Sequence, residues 1–334
     1  MKAIVLTGLG QTLTLKEVDK PTPKAGEVLV QLKAASLNRR DWWITQGKYA
    51  GISYPTILGS DGAGIVVEAG EGTDTDWIGK EVIIYPAYGW GDSDKAQSKD
   101  FTIIGLPPCQ GTFAEYINVP VEHLQFKPAE LSWEQSATLP VAGLTAYRAM
   151  FTKGQAKAGD KVLVTGVGGG AGTFALQYAL AAGCQVFVTS GSGEKIQRAI
   201  KMGAAAGVSY KAQDWAEQLL ELSGGGFDVI VDSALGEGFT KLVDICKPGG
   251  RIAFFGGTAG NIPELNGRKI FWRHISLLGT TLGTFDEFGQ MLAFVNEYKI
   301  EPVIDEVFPL ADAEKAISTM ATSPQFGKLV LSIG

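Results

Sequence analysis

The sequence predicts an α/β protein of two parts, a mainly β domain and a doubly wound parallel sheet. Three observations carry this. The segment Lys161-Val-Leu-Val-Thr-Gly-Val-Gly-Gly-Gly-Ala-Gly172 runs from a β-branched strand into clustered glycines and then a small, apolar helix. Up to about residue 125 the chain is a series of short strands broken by turn signals. From about residue 130 helical segments alternate with buried strands, the pattern of a parallel sheet.

In order, Glu27–Lys33, Gly64–Ala69 and Glu81–Tyr85 read as strands, bounded by Pro21, Pro23, Gly26, Gly70 and Gly72. The second part has strands at 161–165, 185–189, 207–209, 228–232, 250–255 and 275–280. Helices fall near 171–182, 193–202, 213–222 and 236–246. After Thr281 a helix near 284–298 and a closing strand, Lys328–Ser332, return to the first domain. The domains are therefore 1–128 with 284–334, and 129–283. Internal repeats and low-complexity tracts are absent, and the polar stretch 92–99 reads as a surface loop.

A chain of 334 residues, 45% hydrophobic and 19% charged, is long enough for two cores, and its 44 glycines suit many tight turns. A net charge of −6 without a basic run excludes nucleic acid and anionic membrane as expected partners. The start lacks the apolar length of a signal peptide, and no stretch spans a bilayer. Three distant cysteines build no disulfide framework, so the expected compartment is the cytoplasm.

In the glycine turn, Gly166, Gly169 and Gly172 are spaced i, i+3, i+6, with Gly168 and Gly170 between them. Gly166 allows the turn, Gly169 lets a pyrophosphate approach the backbone, and Gly172 packs helix on strand. Bare N–H groups at a helix start then hold an anion, so a dinucleotide is the expected ligand.

Five blocks in order resemble the medium-chain dehydrogenase/reductase superfamily, and within it the zinc-independent quinone oxidoreductase-like branch. They are Ala34–Asp41, Pro55–Gly64, Gly111–Tyr116, Ala137–Ala146 and the glycine loop. The resemblance implies a GroES-like catalytic domain plus a Rossmann cofactor domain, with the active site between them. It also implies where zinc would bind. Zinc members place a Cys at Asn38, a Gly-His-Glu at Gly59-Ser60-Asp61, and a Cys or His near Val141 or Ala142. Catalytic zinc needs three soft or imidazole donors, and none stands there. The structural-zinc loop, roughly 86–110, keeps only Cys109. His123 and His274 lie outside these motifs. No metal is expected.

The second Rossmann strand discriminates between the nicotinamide cofactors. An NAD enzyme carries an acid at its end to hold the ribose hydroxyls, whereas Thr189-Ser190-Gly191 has none. Ser190, Ser192 and Lys195 suit a 2′-phosphate instead, and Tyr210 resembles the family's second contact to it. The alternative for Lys195 is a solvated helix charge. The expected cofactor is NADPH. By resemblance, Arg39 and Lys328 lie near the pyrophosphate and Thr145 beside the nicotinamide. Gly256, Gly257 and Thr281 end the fifth and sixth strands, at the sheet's carboxyl edge where a ligand sits.

Without a metal to polarise an alcohol, hydride transfer favours an electron-poor carbon, as in a quinone or an enone. Asn38 is the expected hydrogen-bond donor to the developing enolate. Its alternative role is capping the helix that starts at Arg39. Trp43 and Tyr49 stand where quinone reductases of the family carry substrate-facing aromatics, and either Tyr49 or water supplies the proton. Arg40 replaces the family's Ser or Thr proton relay. Three classes follow for a small-molecule substrate: a quinone/enone reductase, an alcohol/aldehyde oxidoreductase, and a nucleotide-binding protein of low turnover. The apolar last strand, Ile275–Leu282, predicts a homodimer if it lies at a sheet edge.

Overall fold

The computed structural model describes residues 1–49, 51–322 and 324–334. These fall into two compact units, Met1–Ala142 with Thr284–Gly334, and Gly143–Gly283. The first junction falls at Ala142/Gly143, not at 128/129, because helix Trp133–Ala137 packs on strands Glu27–Ser36 and Asp61–Ala69 of the first unit.

The first unit is mainly β. Its larger sheet runs Leu124–Phe126, Glu81–Ile84, Asp61–Ala69, Glu27–Ser36, Lys328–Ser332, Ile304–Pro309, with Tyr116–Pro120 also pairing to Glu27–Ser36. A smaller sheet joins Thr14–Glu17, Lys2–Leu6 and Thr56–Ile57. The central strand Glu27–Ser36 alternates Val28, Val30 and Leu32 into a core shared with Val66, Val82, Ile84 and Leu331. Two pairings matter for function. Ser36 lies opposite Asp61 on one side and opposite Val330 on the other. Three distant segments therefore meet where that strand ends and helix Arg39–Thr45 begins.

The second unit holds a six-stranded parallel sheet in the order Ala206–Ser209, Gln185–Ser190, Lys161–Val164, Phe227–Asp232, Cys246–Phe254, Ser276–Gly279. All six strands expected from sequence are present. So are the helices, as Gly170–Ala181, Gly193–Lys201, Trp215–Ser223 and Phe239–Ile245. The fourth is shorter than expected at both ends: Gly236, at φ +70°, is still in a turn before it, and Cys246 is already extended and starts the next strand. Leu163, Phe187, Ile230 and Ile252 bury one face of the sheet against Trp215, Leu219, Phe239 and Leu242. Strand order reverses between Lys161–Val164 and Phe227–Asp232, and a doubly wound sheet takes its ligand at the carboxyl ends of such strands. Ser276–Gly279 is an edge strand, as the dimer expectation requires. Among the described residues no helix is long and apolar enough to cross a membrane.

Candidate functional site

In the second unit, strand Lys161–Val164 ends in a turn at Gly166, whose φ of +63° favours glycine. A Cβ on Gly172 would lie 2.9 Å from the Gly166 carbonyl oxygen, so only glycine lets helix Gly170–Ala181 start this close to the turn. A Cβ on Gly169 would meet nothing nearer than 3.8 Å, and the backbone there can be approached. The loop is tied to its neighbours: Val167 N–H donates to Thr189 O at 3.0 Å and Gly166 N–H to Thr189 Oγ1 at 3.3 Å.

Lys195 reaches this loop from helix Gly193–Lys201. A Cβ on Gly168 would sit 2.5 Å from Lys195 Cδ and 2.9 Å from its Nζ. A Cβ on Gly191 would meet the Tyr210 hydroxyl at 2.5 Å and Lys211 Cε at 3.1 Å. Ser190 Oγ accepts from Ser192 N–H at 3.3 Å. The structure thus gathers Ser190, Ser192, Lys195 and Tyr210 around the carboxyl end of one strand, beside the glycine loop. A cradle of backbone N–H groups flanked by hydroxyls and an ammonium fits a dinucleotide phosphate.

Sequence reasoning missed Asp232 and Thr165, which shape the switch point. Thr165 Oγ1 donates to Asp232 Oδ1 at 2.5 Å, and Asp232 Oδ2 accepts from Leu235 N–H at 2.8 Å. Burial pushes the Asp232 carboxyl up from its ordinary value. Gly256 has φ +77°, and a Cβ there would lie 2.9 Å from Ser233 O, so it too holds a turn at the carboxyl edge. Gly257 follows it, exposed, and Thr281 lies just beyond Thr280, whose N–H donates to Phe254 O at 3.0 Å. Thr145 is buried on helix Leu144–Tyr147.

In the first unit, the residues at the zinc positions form a closed hydrogen-bonded cluster. Asn38 Nδ2 donates to Asp61 Oδ2 at 2.9 Å and to Ser60 Oγ at 3.3 Å. Asp61 Oδ2 also accepts from Ser36 Oγ at 2.7 Å, while Asp61 Oδ1 accepts from Val141 N–H at 2.9 Å. Lys328 Nζ donates to Asn38 Oδ1 at 2.7 Å, Leu37 O at 2.8 Å and Asp61 Oδ2 at 3.2 Å.

Two expectations change here. Lys328 was expected near the pyrophosphate, but its side chain is 3% exposed and its three N–H bonds are all made inside this cluster. Asn38 was expected to donate to an enolate, yet both its amide hydrogens are given to Ser60 and Asp61. The cause is tertiary: strand Lys328–Ser332 pairs with Glu27–Ser36 and brings an ammonium to the Asp61 carboxylate. Nor does the donor set fit zinc. At the positions where zinc members carry ligands stand an amide (Asn38), a hydroxyl (Ser60) and an apolar side chain (Val141), and the Asp61 carboxylate is already taken up by Ser36, Asn38, Val141 N–H and Lys328.

Helix Arg39–Thr45 carries the rest. Asn38 is its N-cap, and Asp41 Oδ2 accepts from the Asn38 N–H at 2.8 Å. Asp41 is fully buried, and burial pushes its carboxyl up to about 6. Arg39 donates to Met320 O and lies over the Trp42 ring, a place that sequence alone did not foresee. Trp43 packs 4.6 Å from Trp42, with the Lys48 ammonium 4.8 Å over its ring. The Arg40 guanidinium lies 5.5 Å from the Tyr49 ring centroid. Arg40 Nη1 donates to Ile104 O at 2.8 Å, but Nε and Nη2 are buried with no partner. Each such donor costs about 1–3 kcal/mol when left unmade. The sequence marks Arg40 only as the residue that stands in place of the family's Ser or Thr proton relay.

Comparison with known proteins agrees with this architecture. Residues 24–129 match the model of the alcohol dehydrogenase GroES-like domain, and residues 170–297 that of the zinc-binding dehydrogenases. The chain is 38% identical to the zinc-type alcohol dehydrogenase-like protein YogA of Leptosphaeria maculans, over 96% of this chain and 94% of that protein. It is 29% identical to the quinone oxidoreductase of Rattus norvegicus, over 99% and 97%. A crystal structure of an NAD-dependent alcohol dehydrogenase superposes with a TM-score of 0.93 at 34% identity, covering 100% of both chains. With a GroES-like β unit, a Rossmann sheet and these relatives, the chain belongs to the medium-chain dehydrogenase/reductase superfamily of oxidoreductases.

Proposed function

We propose that the protein is an NADPH-dependent, zinc-independent reductase of quinones or α,β-unsaturated carbonyls. One observation carries the reaction type: the positions that would hold a catalytic metal are filled by the closed Asn38–Ser60–Asp61–Lys328 cluster. That cluster supplies no Lewis acid to draw a proton from an alcohol. An acceptor already polarised by its own conjugation needs none. A nicotinamide held in the glycine-loop cradle would supply hydride chemistry for such a carbon, and Tyr49 or water would supply the one proton that completes the reduction.

The protein's own work is to bind and to orient. Gly166, Gly169, Gly170 and Gly172 shape the cradle for the pyrophosphate. Ser190, Ser192, Lys195 and Tyr210 receive the 2′-phosphate, and Thr145, Gly256, Gly257 and Thr281 line the nicotinamide end. Trp43 and Tyr49 flank the acceptor. A second reading, an alcohol/aldehyde oxidoreductase, is favoured by the alcohol dehydrogenase names among the relatives. NADPH oxidation measured against quinones, enones, enoyl thioesters and aldehydes tests both. Faster reduction of aldehydes than of enones overturns the first reading. Tight NADPH binding with no turnover on any class points to a nucleotide-binding role.

A further inference from the structure

We propose that Arg40 is a substrate-anchoring residue that recognises a carboxylate, so that the preferred acceptor is an unsaturated carbonyl compound bearing a carboxylate group. The inference rests on the reductase reading and adds the charge of the substrate.

The argument begins with which nitrogens lack a partner. A guanidinium has five N–H donors in one plane. Nη1 of Arg40 is committed to Ile104 O at 2.8 Å, which fixes the plane from one end. The two nitrogens without partners are Nε and Nη2, both shielded from solvent. Their N–H bonds lie on the same edge and point the same way, the spacing that a carboxylate meets with both oxygens. A backbone carbonyl or a water satisfies one such donor. A planar anion with two oxygens satisfies both.

The surroundings keep that edge available. The nearest acid in sequence, Asp41, uses Oδ2 to accept from the Asn38 N–H, and its Oδ1 meets no donor. Asp41 feels the charge of Arg40 through space, but no hydrogen bond joins its carboxylate to the guanidinium, and Nε and Nη2 stay without an acceptor. The Tyr49 ring, 5.5 Å from the guanidinium carbon, steadies the plane by cation–π attraction. Asp61 is occupied by Ser36, Asn38, Val141 and Lys328, and cannot serve as the counter-ion. The Lys328 ammonium is thus balanced within its own cluster, whereas Arg40 presents two aligned donors with no acceptor.

The test compares a matched pair on the purified full chain with saturating NADP⁺. Calorimetry measures binding of 3-benzoylpropionate and of its methyl ester, saturated ketones that cannot be reduced by conjugate addition. The acid should bind at least about tenfold tighter than the ester, the usual scale for a charge-assisted pair. Arg40→Gln should erase that gap and leave ester affinity unchanged, while Arg40→Lys should keep part of it. Equal binding of acid and ester by the wild type overturns the inference, and that result needs no variant to fold. So does an Arg40→Gln protein that keeps the preference, or one that loses acid and ester alike. Turnover of 4-oxo-4-phenylbut-2-enoate and its ester separates the two levels. Arg40-dependent acid binding without NADPH oxidation leaves the anchor standing and removes the reductase reading. Rapid reduction of the ester with no gain for the acid does the reverse.

Discussion

Replacing Lys328 with Met should be among the most damaging single changes in the first unit. Met keeps much of the side-chain volume and removes the ammonium. Lys328 is 3% exposed and Asp61 0%, so the change leaves a carboxylate in a place water does not reach. It also strips Asn38 Oδ1 and Leu37 O of their donor. Breaking one half of a buried ion pair costs about 3–5 kcal/mol. At roughly 2–4 °C per kcal/mol for a unit of this size, the melting temperature should fall by roughly 6–20 °C. Asp61→Asn alone should also destabilise, since it buries an unpaired ammonium. The double variant, Lys328→Met with Asp61→Asn, removes both charges and keeps the acceptor for Ser36 and Asn38. Urea unfolding followed by tryptophan fluorescence should show the double variant more stable than the Lys328→Met single, with a coupling of about 2 kcal/mol or more. Simple addition of the two single costs would refute the reasoning, as would a Lys328→Met cost below about 0.5 kcal/mol, the scale of a surface change.

Four further outcomes are expected. Lys195→Ala should lower kcat/KM for NADPH by roughly tenfold to a hundredfold and leave NADH nearly unchanged, and equal wild-type efficiency with both cofactors would remove the NADPH assignment. Elemental analysis should find no stoichiometric zinc, with activity surviving a strong chelator; one zinc per chain lost together with activity would contradict the donor-set argument. Asp41, raised from 3.8 to about 6 by burial, binds its proton more tightly folded than unfolded, so stability falls as pH rises from about 4 to about 6 and then levels off. Asp41→Asn should cancel this dependence, worth about 3 kcal/mol at about 1.4 kcal/mol per pH unit, and identical stability–pH curves for the two proteins would show the carboxyl to be hydrated. Light scattering at micromolar concentration should give twice the 35.4 kDa chain mass, and Trp272→Asp, at a side chain 80% exposed beside the edge strand Ser276–Gly279, should shift it toward the monomer; a wild-type monomer ends the dimer reading.

Local pattern determined the larger part of this protein. Alternation along Glu27–Ser36, the run Val162–Val164 and the glycine spacing after it are properties of neighbouring residues, and backbone sterics convert them directly into strand, turn and helix. That is why the Rossmann strands and the glycine loop are legible in the sequence alone. The absent zinc donors could likewise be read from residue types alone. What the sequence could not show was which polar groups are already satisfied. Asn38 and Lys328 are 290 residues apart, and their bond exists only because the closing strand lies beside the central one. That pairing uses up the Lys328 ammonium and the Asn38 amide oxygen, while Asp61 and Ser60 take the Asn38 amide hydrogens, so neither side chain is left for a ligand. Arg40, which the sequence marks only as standing in place of the family's proton relay, keeps two guanidinium nitrogens without partners. A side chain's chemistry is written in its type, but its availability depends on burial and on partners that only the folded chain brings within 3 Å or so of it.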